Sequence, residues 1–96
     1  MLIDKGLSTG EIVTIKLTSG EELIARLIEE SNDYYKVSKP MVVATTPKGL
    51  GLMPYAITVD LDKDLKLSKN NINIIDLTNK DFTNQYIELT TNFKLV

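Results

Sequence analysis

The chain contains no cysteine and no histidine. It can therefore form no disulfide bond, no thiolate or imidazole metal site, and no catalytic histidine base. No apolar stretch approaches the roughly 18 residues that suggest a membrane-spanning helix, and the first ten residues lack a basic region followed by a long apolar run. We therefore expect a soluble protein and, as the simplest assignment, a cytoplasmic one.

Nothing in the sequence supplies a base that activates a nucleophile, and no glycine-rich phosphate loop follows a predicted strand. Asp60, Asp62 and Asp64 alternate as at the start of a calcium loop. The sixth position of that loop is here Leu65 instead of glycine, and the twelfth is Asn71 instead of glutamate. We therefore interpret the aspartates as a solvated connection, and we expect neither an enzyme nor a cofactor.

The chain has 96 residues, 43% of them hydrophobic, which is enough for a single domain over residues 1–96 with one modest core. Eleven Lys and Arg residues oppose thirteen Asp and Glu residues, so the formal net charge is -2. The overall basic charge that usually accompanies nucleic-acid binding is therefore absent. Any such binding would have to use a local patch.

Period-two alternation predicts strands over most of the chain. Val13, Ile15 and Leu17 alternate with polar residues before a turn at Ser19-Gly20. The next segment, ELIARLIEE, also fits a short helix by propensity, but its position between two turns favours a strand. That strand is apolar on both faces.

Further along the chain, the β-rich run at 34–47 predicts a long bent strand, and a turn at 47–51 leads to a strand at 52–60. A short strand at 65–67, a turn at 69–71 and a strand of about five residues from Ile72 follow. Pro40 should bend the long strand, because proline is tolerated in sheets at edges, bulges or bends. At the end of the chain, Thr78 is followed three residues later by an aspartate, close to a capping box, and Phe82, Tyr86 and Leu89 recur at helical spacing. We expect an α-helix over about 79–91.

About five short strands are too few for a two-sheet sandwich, whereas one bent sheet can close into a small barrel. Bends at Pro40, Gly49 and Gly51 would serve that closure. Two strands are apolar on both faces, so the outer face needs covering by the C-terminal helix or by another subunit. Because the edge strands of a partly open barrel can pair head to tail, we also expect assembly into a ring.

Residues 13–37, VTIKLTSGEELIARLIEESNDYYKV, resemble the first motif of the Sm and Sm-like proteins. The apolar and turn spacing of that motif is carried by Val13, Ile15, Leu17, Gly20, Leu23 and Leu27, with Ala25 where the family often has glycine. Residues 65–75, LKLSKNNINII, are similar to the second motif, with Ser68-Lys69 in place of the usual Arg-Gly. The C-terminal helix, the stretched region at 49–64 and the acidic balance look most like the divergent Sm-like proteins of marine phages.

This resemblance implies a mainly β fold: a small, strongly bent, five-stranded antiparallel Sm-like barrel over about 11–77 with a C-terminal α-helix. It also implies a cyclic homo-oligomer of five to seven subunits that binds single-stranded RNA through turn residues, in the host cell cytoplasm if a phage encodes the chain. The candidate RNA-binding residues are Asn32, Asp33, Tyr34, Tyr35, Ser68, Lys69 and Asn70.

The family's usual pair of an apolar residue and a base-contacting Asn falls on Tyr34 and Tyr35. A slip of one to three residues would bring Asn32 or Asp33 into that position instead. Neighbouring side chains on a strand point to opposite faces, so the two tyrosines have different roles. Either one fills the core and the other covers a subunit contact, or the outward one stacks on a nucleobase.

Four lysines, Lys36, Lys39, Lys48 and Lys69, are either simply solvated or meet RNA phosphates once a ring brings copies together. The missing Asn, the Ser68-Lys69 substitution and the net negative charge indicate an alternative function. In that alternative the chain is a structural or protein-interaction ring that does not bind RNA.

Overall fold

The computed structural model describes residues 6–92. Its elements are β1 (Ile12–Leu17), β2 (Glu22–Glu30), β3 (Tyr34–Thr46), β4 (Gly49–Pro54), β5 (Asp64–Ser68), a 3-10 turn (Lys69–Asn71), β6 (Ile72–Leu77) and α1 (Lys80–Asn92). The prediction of a mainly β fold with a C-terminal helix is confirmed, and every strand pairing is antiparallel. Within residues 6–92, no helix has the length and apolar composition that crossing a membrane requires.

The strands form one sheet in the order β4-β3-β2-β1-β6, and β5 also pairs with β3. One edge of β3 carries both neighbours, because Tyr34–Ser38 pairs with β5 and Met41–Thr46 pairs with β4. β5 and β6 therefore lie at opposite ends of the path β5-β3-β2-β1-β6, although only the turn Lys69–Asn71 joins them in the chain. This connection requires the sheet to curve strongly. Within the described residues the sheet stays open, since no ladder pairs β5 with β6.

The apolar side chains of β1 and β2 divide between two clusters. The first core cluster consists of Val13, Ile15, Leu17, Leu23, Ala25, Leu27 and Val37. The second core cluster consists of Ile12, Ile24, Met41 and Tyr86, with Phe82 and Leu89 packed against it. Because neighbouring strand residues point to opposite faces, the two clusters lie on opposite faces of the sheet. The helix α1 thus covers the second apolar face, which is one of the two covers that the sequence predicts.

The start of α1 differs from the prediction by one residue. Asn79, and not Thr78, provides the N-cap: its Oδ1 accepts a hydrogen bond of 2.9 Å from the backbone N–H of Phe82. The Thr78 hydroxyl instead lies 2.8 Å from the Thr14 hydroxyl on β1. The predicted capping box was therefore wrong, because the neighbouring asparagine takes the capping position.

The predicted strand at 52–60 and the predicted turn at 47–51 were both wrong in their bounds. Thr46 pairs with Gly49 across a two-residue turn, and Gly49 has a φ of 113°, which favours glycine. The strand therefore begins at Gly49 and ends at Pro54. Beyond it the Tyr55 amide donates to the Pro40 carbonyl at 2.9 Å, and the chain then runs through turns to residue 63 instead of continuing the strand.

The interruption predicted near Pro40 is a β-bulge in β3. The register between β2 and β3 shifts between Ile24 and Arg26. Opposite that shift Lys39 has a φ of 48°, and it is the only non-glycine residue with positive φ in residues 6–92. The bulge bends the long strand and changes the face to which its side chains point.

Candidate nucleic-acid interface

The structure brings the two predicted turns together. Tyr34 of β3 pairs with Ser68 of β5, and the Lys69 amide donates to the Asp33 carbonyl at 2.9 Å. Residues that are more than thirty positions apart in the chain therefore share one end of the sheet. We call this group the turn cluster, and it consists of the seven predicted site residues Asn32, Asp33, Tyr34, Tyr35, Ser68, Lys69 and Asn70.

The backbone of both turns is held by short-range hydrogen bonds. The Ser31 amide donates to the Tyr34 carbonyl at 2.8 Å and closes the turn between β2 and β3. In the second turn, the Ser68 hydroxyl accepts from the Asn70 amide at 3.3 Å and so caps the 3-10 turn. The side chains of Asn32 and Asn70 are exposed at these turns. The turn cluster thus presents amide groups to solvent on a fixed backbone.

The two tyrosines lie on opposite faces of β3, as their adjacency predicts. The Tyr35 ring packs against the first core cluster. Tyr34 points to the other face, where Lys66 Nζ lies 5.0 Å from its ring centroid. Lys69 Nζ lies 4.9 Å from the Tyr35 centroid, so each ring has an ammonium within cation–π distance. Tyr35 therefore belongs to the first core cluster, and Tyr34 is the tyrosine that remains for a contact outside that cluster.

Two of the lysines that were predicted to contact phosphate each form an ion pair with a carboxylate. Lys69 Nζ lies 2.7 Å from Glu30 Oε2, and Lys36 Nζ lies 3.5 Å from Glu29 Oε1. The hydrogen bond between Glu30 and Lys69 lowers the pKa of the carboxyl and raises the pKa of the ammonium. Burial raises the pKa of Tyr35, and the nearby Glu30 carboxylate adds to that rise. A phosphate that approaches Lys69 must therefore compete with a carboxylate.

Three residues of this region escaped the sequence-based prediction: Lys66, Glu29 and Glu30. Lys66 belongs to the site because it lies opposite Lys36 in the register of β3 and β5. The order of the residues in the chain does not reveal this pairing. Alternating charges in β5 would have been the only available signal. The sequence shows the acidic end of ELIARLIEE, but it does not show that Glu30 contacts the second turn.

The other predicted lysines and the aspartates lie elsewhere. Lys48 occupies the turn between β3 and β4, and Lys39 lies at the β-bulge. Asp60 and Asp62 are exposed in the connection between β4 and β5. In the part of the chain that the structure describes, no group of three or more His, Cys, Asp or Glu side chains could hold a metal ion.

Comparison with known proteins gives no assignment. No protein-family model matches the chain, and no curated protein matches it either.

Proposed function

We propose that this chain is an Sm-like barrel protein that forms a cyclic homo-oligomer and binds single-stranded RNA at the turn cluster. The observation that carries the proposal is the contact between the two turns. Tyr34 pairs with Ser68, and the backbone N–H of Lys69 donates to the Asp33 carbonyl. The resemblance to Sm-like proteins implies that these two turns bind RNA.

The strand path supports the Sm-like barrel. Five strands follow one another as β5-β3-β2-β1-β6, and a turn of three residues links the first and last of them. A curved sheet with its ends linked in this way is the arrangement that a small barrel requires. In this proposal β4 is an additional strand that pairs with the second half of β3, on the edge that also carries β5.

Two open strand edges support the ring. Among the described residues, β6 pairs only with β1, and β5 pairs only with β3. β6 also exposes the apolar residues Ile74 and Leu77, which are 59% and 54% exposed. If β6 of one subunit pairs with β5 of the next, the contact is heterologous and repeats around a ring while covering these apolar residues. We propose five to seven subunits.

The chemistry of the turn cluster suits single-stranded RNA. Unstacked bases bind to aromatic rings and to amide groups that read their edges, and Tyr34, Asn32 and Asn70 supply these. Lys66 is the ammonium next to the Tyr34 ring, close enough to meet a phosphate of the stacked nucleotide. A ring would repeat this charge and so raise the local positive potential that the acidic monomer lacks.

A second candidate function is a structural or protein-interaction ring that does not bind RNA. The Glu30–Lys69 contact of 2.7 Å favours it, because this pair already neutralises the lysine that the first proposal places near phosphate. In this case Lys69 holds the two turns together, and the strand edges carry the function.

Titration of RNA into the protein separates the two candidates. Fluorescently labelled oligo-U, oligo-A and a mixed sequence are titrated at low and moderate salt, since phosphate contacts weaken with salt. The first proposal predicts saturable binding below tens of micromolar protein for at least one RNA. Absence of saturation at that concentration would leave only the structural ring, and light scattering tests the ring itself in the same samples.

A further inference from the structure

A small polar pocket lies between the β-bulge of β3 and the last turns of α1. Its volume is about 100 Å³, and it is lined by Arg26, Ser38, Lys39, Tyr86, Thr90 and Thr91. It suits a single phosphate group. We call it the bulge pocket.

The bulge places Lys39 at this pocket, and Tyr86 holds the bulge. The Tyr86 hydroxyl lies 2.9 Å from the carbonyl oxygens of both Ser38 and Lys39. A lysine at a φ of 48° is strained, and such a conformation persists only where the surroundings enforce it. Bulges commonly redirect a side chain next to a functional site. The strain is therefore concentrated at one of the two cations of the pocket.

Both cations of the bulge pocket lack a carboxylate partner within the described residues. Arg26 Nη1 donates to the Gly10 carbonyl at 2.8 Å, and the guanidinium has further N–H donors. Neither Arg26 nor Lys39 takes part in the ion pairs of residues 6–92, which join Lys36 to Glu29 and Lys69 to Glu30. In a chain of net charge -2, two cations that line one pocket and form no ion pair within residues 6–92 indicate a place for an anion.

The end of α1 does not supply that anion. A helix C-terminus carries the equivalent of about half a negative charge, whereas Arg26 and Lys39 together carry two positive charges. The Thr90 hydroxyl is also engaged, because it donates to the Tyr86 carbonyl at 2.8 Å. The pocket thus keeps a surplus of positive charge, and the exposed Thr91 lies at its edge.

We propose that the bulge pocket binds a phosphate group through the Arg26 guanidinium and the Lys39 ammonium. Charge-assisted hydrogen bonds from these two groups would hold the phosphate oxygens. The phosphate is either inorganic phosphate or the terminal phosphate of a nucleotide whose remaining atoms lie outside. The proposal requires neither a ring nor RNA binding at the turn cluster.

The test is a titration of the full chain followed by ¹H–¹⁵N NMR, at constant ionic strength kept with sodium chloride. Inorganic phosphate, uridine 5′-monophosphate and uridine are added separately. We expect saturable shifts of the amides of Arg26, Lys39 and Thr91 with one or both phosphate compounds and none with uridine. Stronger binding of the nucleotide would identify a terminal phosphate as the ligand, stronger binding of inorganic phosphate would identify free phosphate, and equal binding would show that the pocket recognises the phosphate group alone.

Lys39→Gln is the decisive variant, and Lys48→Gln is its matched control, because both remove one lysine charge. Lys39→Gln should weaken phosphate binding about tenfold, whereas Lys48→Gln should leave it unchanged. Thermal unfolding checks that both variants fold, and Lys39→Gly provides a second variant whose backbone accepts the positive φ. Shifts that do not saturate, or equal binding by the Lys39 and Lys48 variants, would overturn the proposal and leave these cations only a role at the helix end.

Discussion

The Lys69 ammonium lies 2.7 Å from the Glu30 carboxylate and joins the second turn of the cluster to the end of β2. The same ammonium lies 4.9 Å from the centroid of the Tyr35 ring. These contacts thus connect β2, β3 and the turn Lys69–Asn71 at the point where the two turns meet. The ion pair also bears on the proposed RNA binding, because a phosphate at Lys69 must compete with the Glu30 carboxylate.

Replacement of Glu30 by glutamine tests this competition. Glu30→Gln removes the carboxylate but keeps a group of similar size, so Lys69 becomes available to phosphate. We expect RNA affinity to rise severalfold and the salt dependence of binding to steepen. Glu88→Gln on α1 is the control, since it makes the same charge change at an exposed position outside the turn cluster. Equal effects of the two variants would show that only net charge matters and that Glu30 does not shield Lys69.

The proposed ring depends on the exposed apolar residues of β6. Ile74→Lys places a charge where the neighbouring subunit would pack, and Ile74 is 59% exposed, so the fold of the subunit should tolerate it. We expect multi-angle light scattering to show a ring for the unmodified chain and a smaller species for the variant. Ile87→Lys on the exposed side of α1 is the control and should keep the ring. An unmodified chain that stays monomeric at high concentration would contradict ring assembly.

Tyr86 connects α1 to the β-bulge, and its removal should loosen this contact. Tyr86→Phe keeps the ring in the second core cluster but leaves the Ser38 and Lys39 carbonyls without their donor. The free energy of unfolding should fall by about 1 kcal/mol, the usual net contribution of a hydrogen bond, because these carbonyls are only partly buried. Urea unfolding followed by circular dichroism measures it. A decrease in the free energy of unfolding well below about 0.5 kcal/mol would show that water replaces the hydroxyl.

Alkaline pH should also lower the free energy of unfolding, through ionisation of Tyr86. Burial raises the pKa of Tyr86 to about 12, above its usual value of 10.0. The folded chain therefore holds this proton more tightly than the unfolded chain, so the contribution to stability is complete below pH 10 and is lost as the pH rises toward 12. The loss should be on the order of 2 kcal/mol in the unmodified chain and absent in Tyr86→Phe. If the free energy of unfolding depends on pH in the same way in both proteins, a raised pKa of Tyr86 is contradicted.

Much of the fold follows from local patterns. Alternation predicted β1, the position between two turns predicted β2, and a β-rich composition predicted the long β3. The helical spacing of Phe82, Tyr86 and Leu89 predicted α1. The errors occurred where tertiary contacts override the pattern. Residues 55–59 continue the alternation of β4, but the chain leaves β3 after the Tyr55 hydrogen bond to Pro40 and forms turns.

The seven residues of the turn cluster were chosen from the sequence, but their interactions and their three charged neighbours Glu29, Glu30 and Lys66 were not predicted. The two turns were identified separately, and the structure places them side by side. The ion pairs of Glu29 and Glu30, the position of Lys66 over Tyr34 and the strained Lys39 could not be predicted. Each of them depends on strand register or on a bulge, and a shift of one residue in register reverses which side chains meet.

The most direct test of RNA binding at the turn cluster is the affinity of single-stranded RNA for Tyr34→Ala, compared with Tyr55→Ala. Both variants remove a tyrosine from the surface, but only Tyr34 belongs to the turn cluster, and circular dichroism checks that both remain folded. Loss of one stacked base should weaken binding by Tyr34→Ala about 5-fold to 150-fold, and Tyr55→Ala should bind as the unmodified chain does. Unchanged affinity of Tyr34→Ala would contradict the proposed stacking, and equal weakening of both variants would place the RNA elsewhere on the protein.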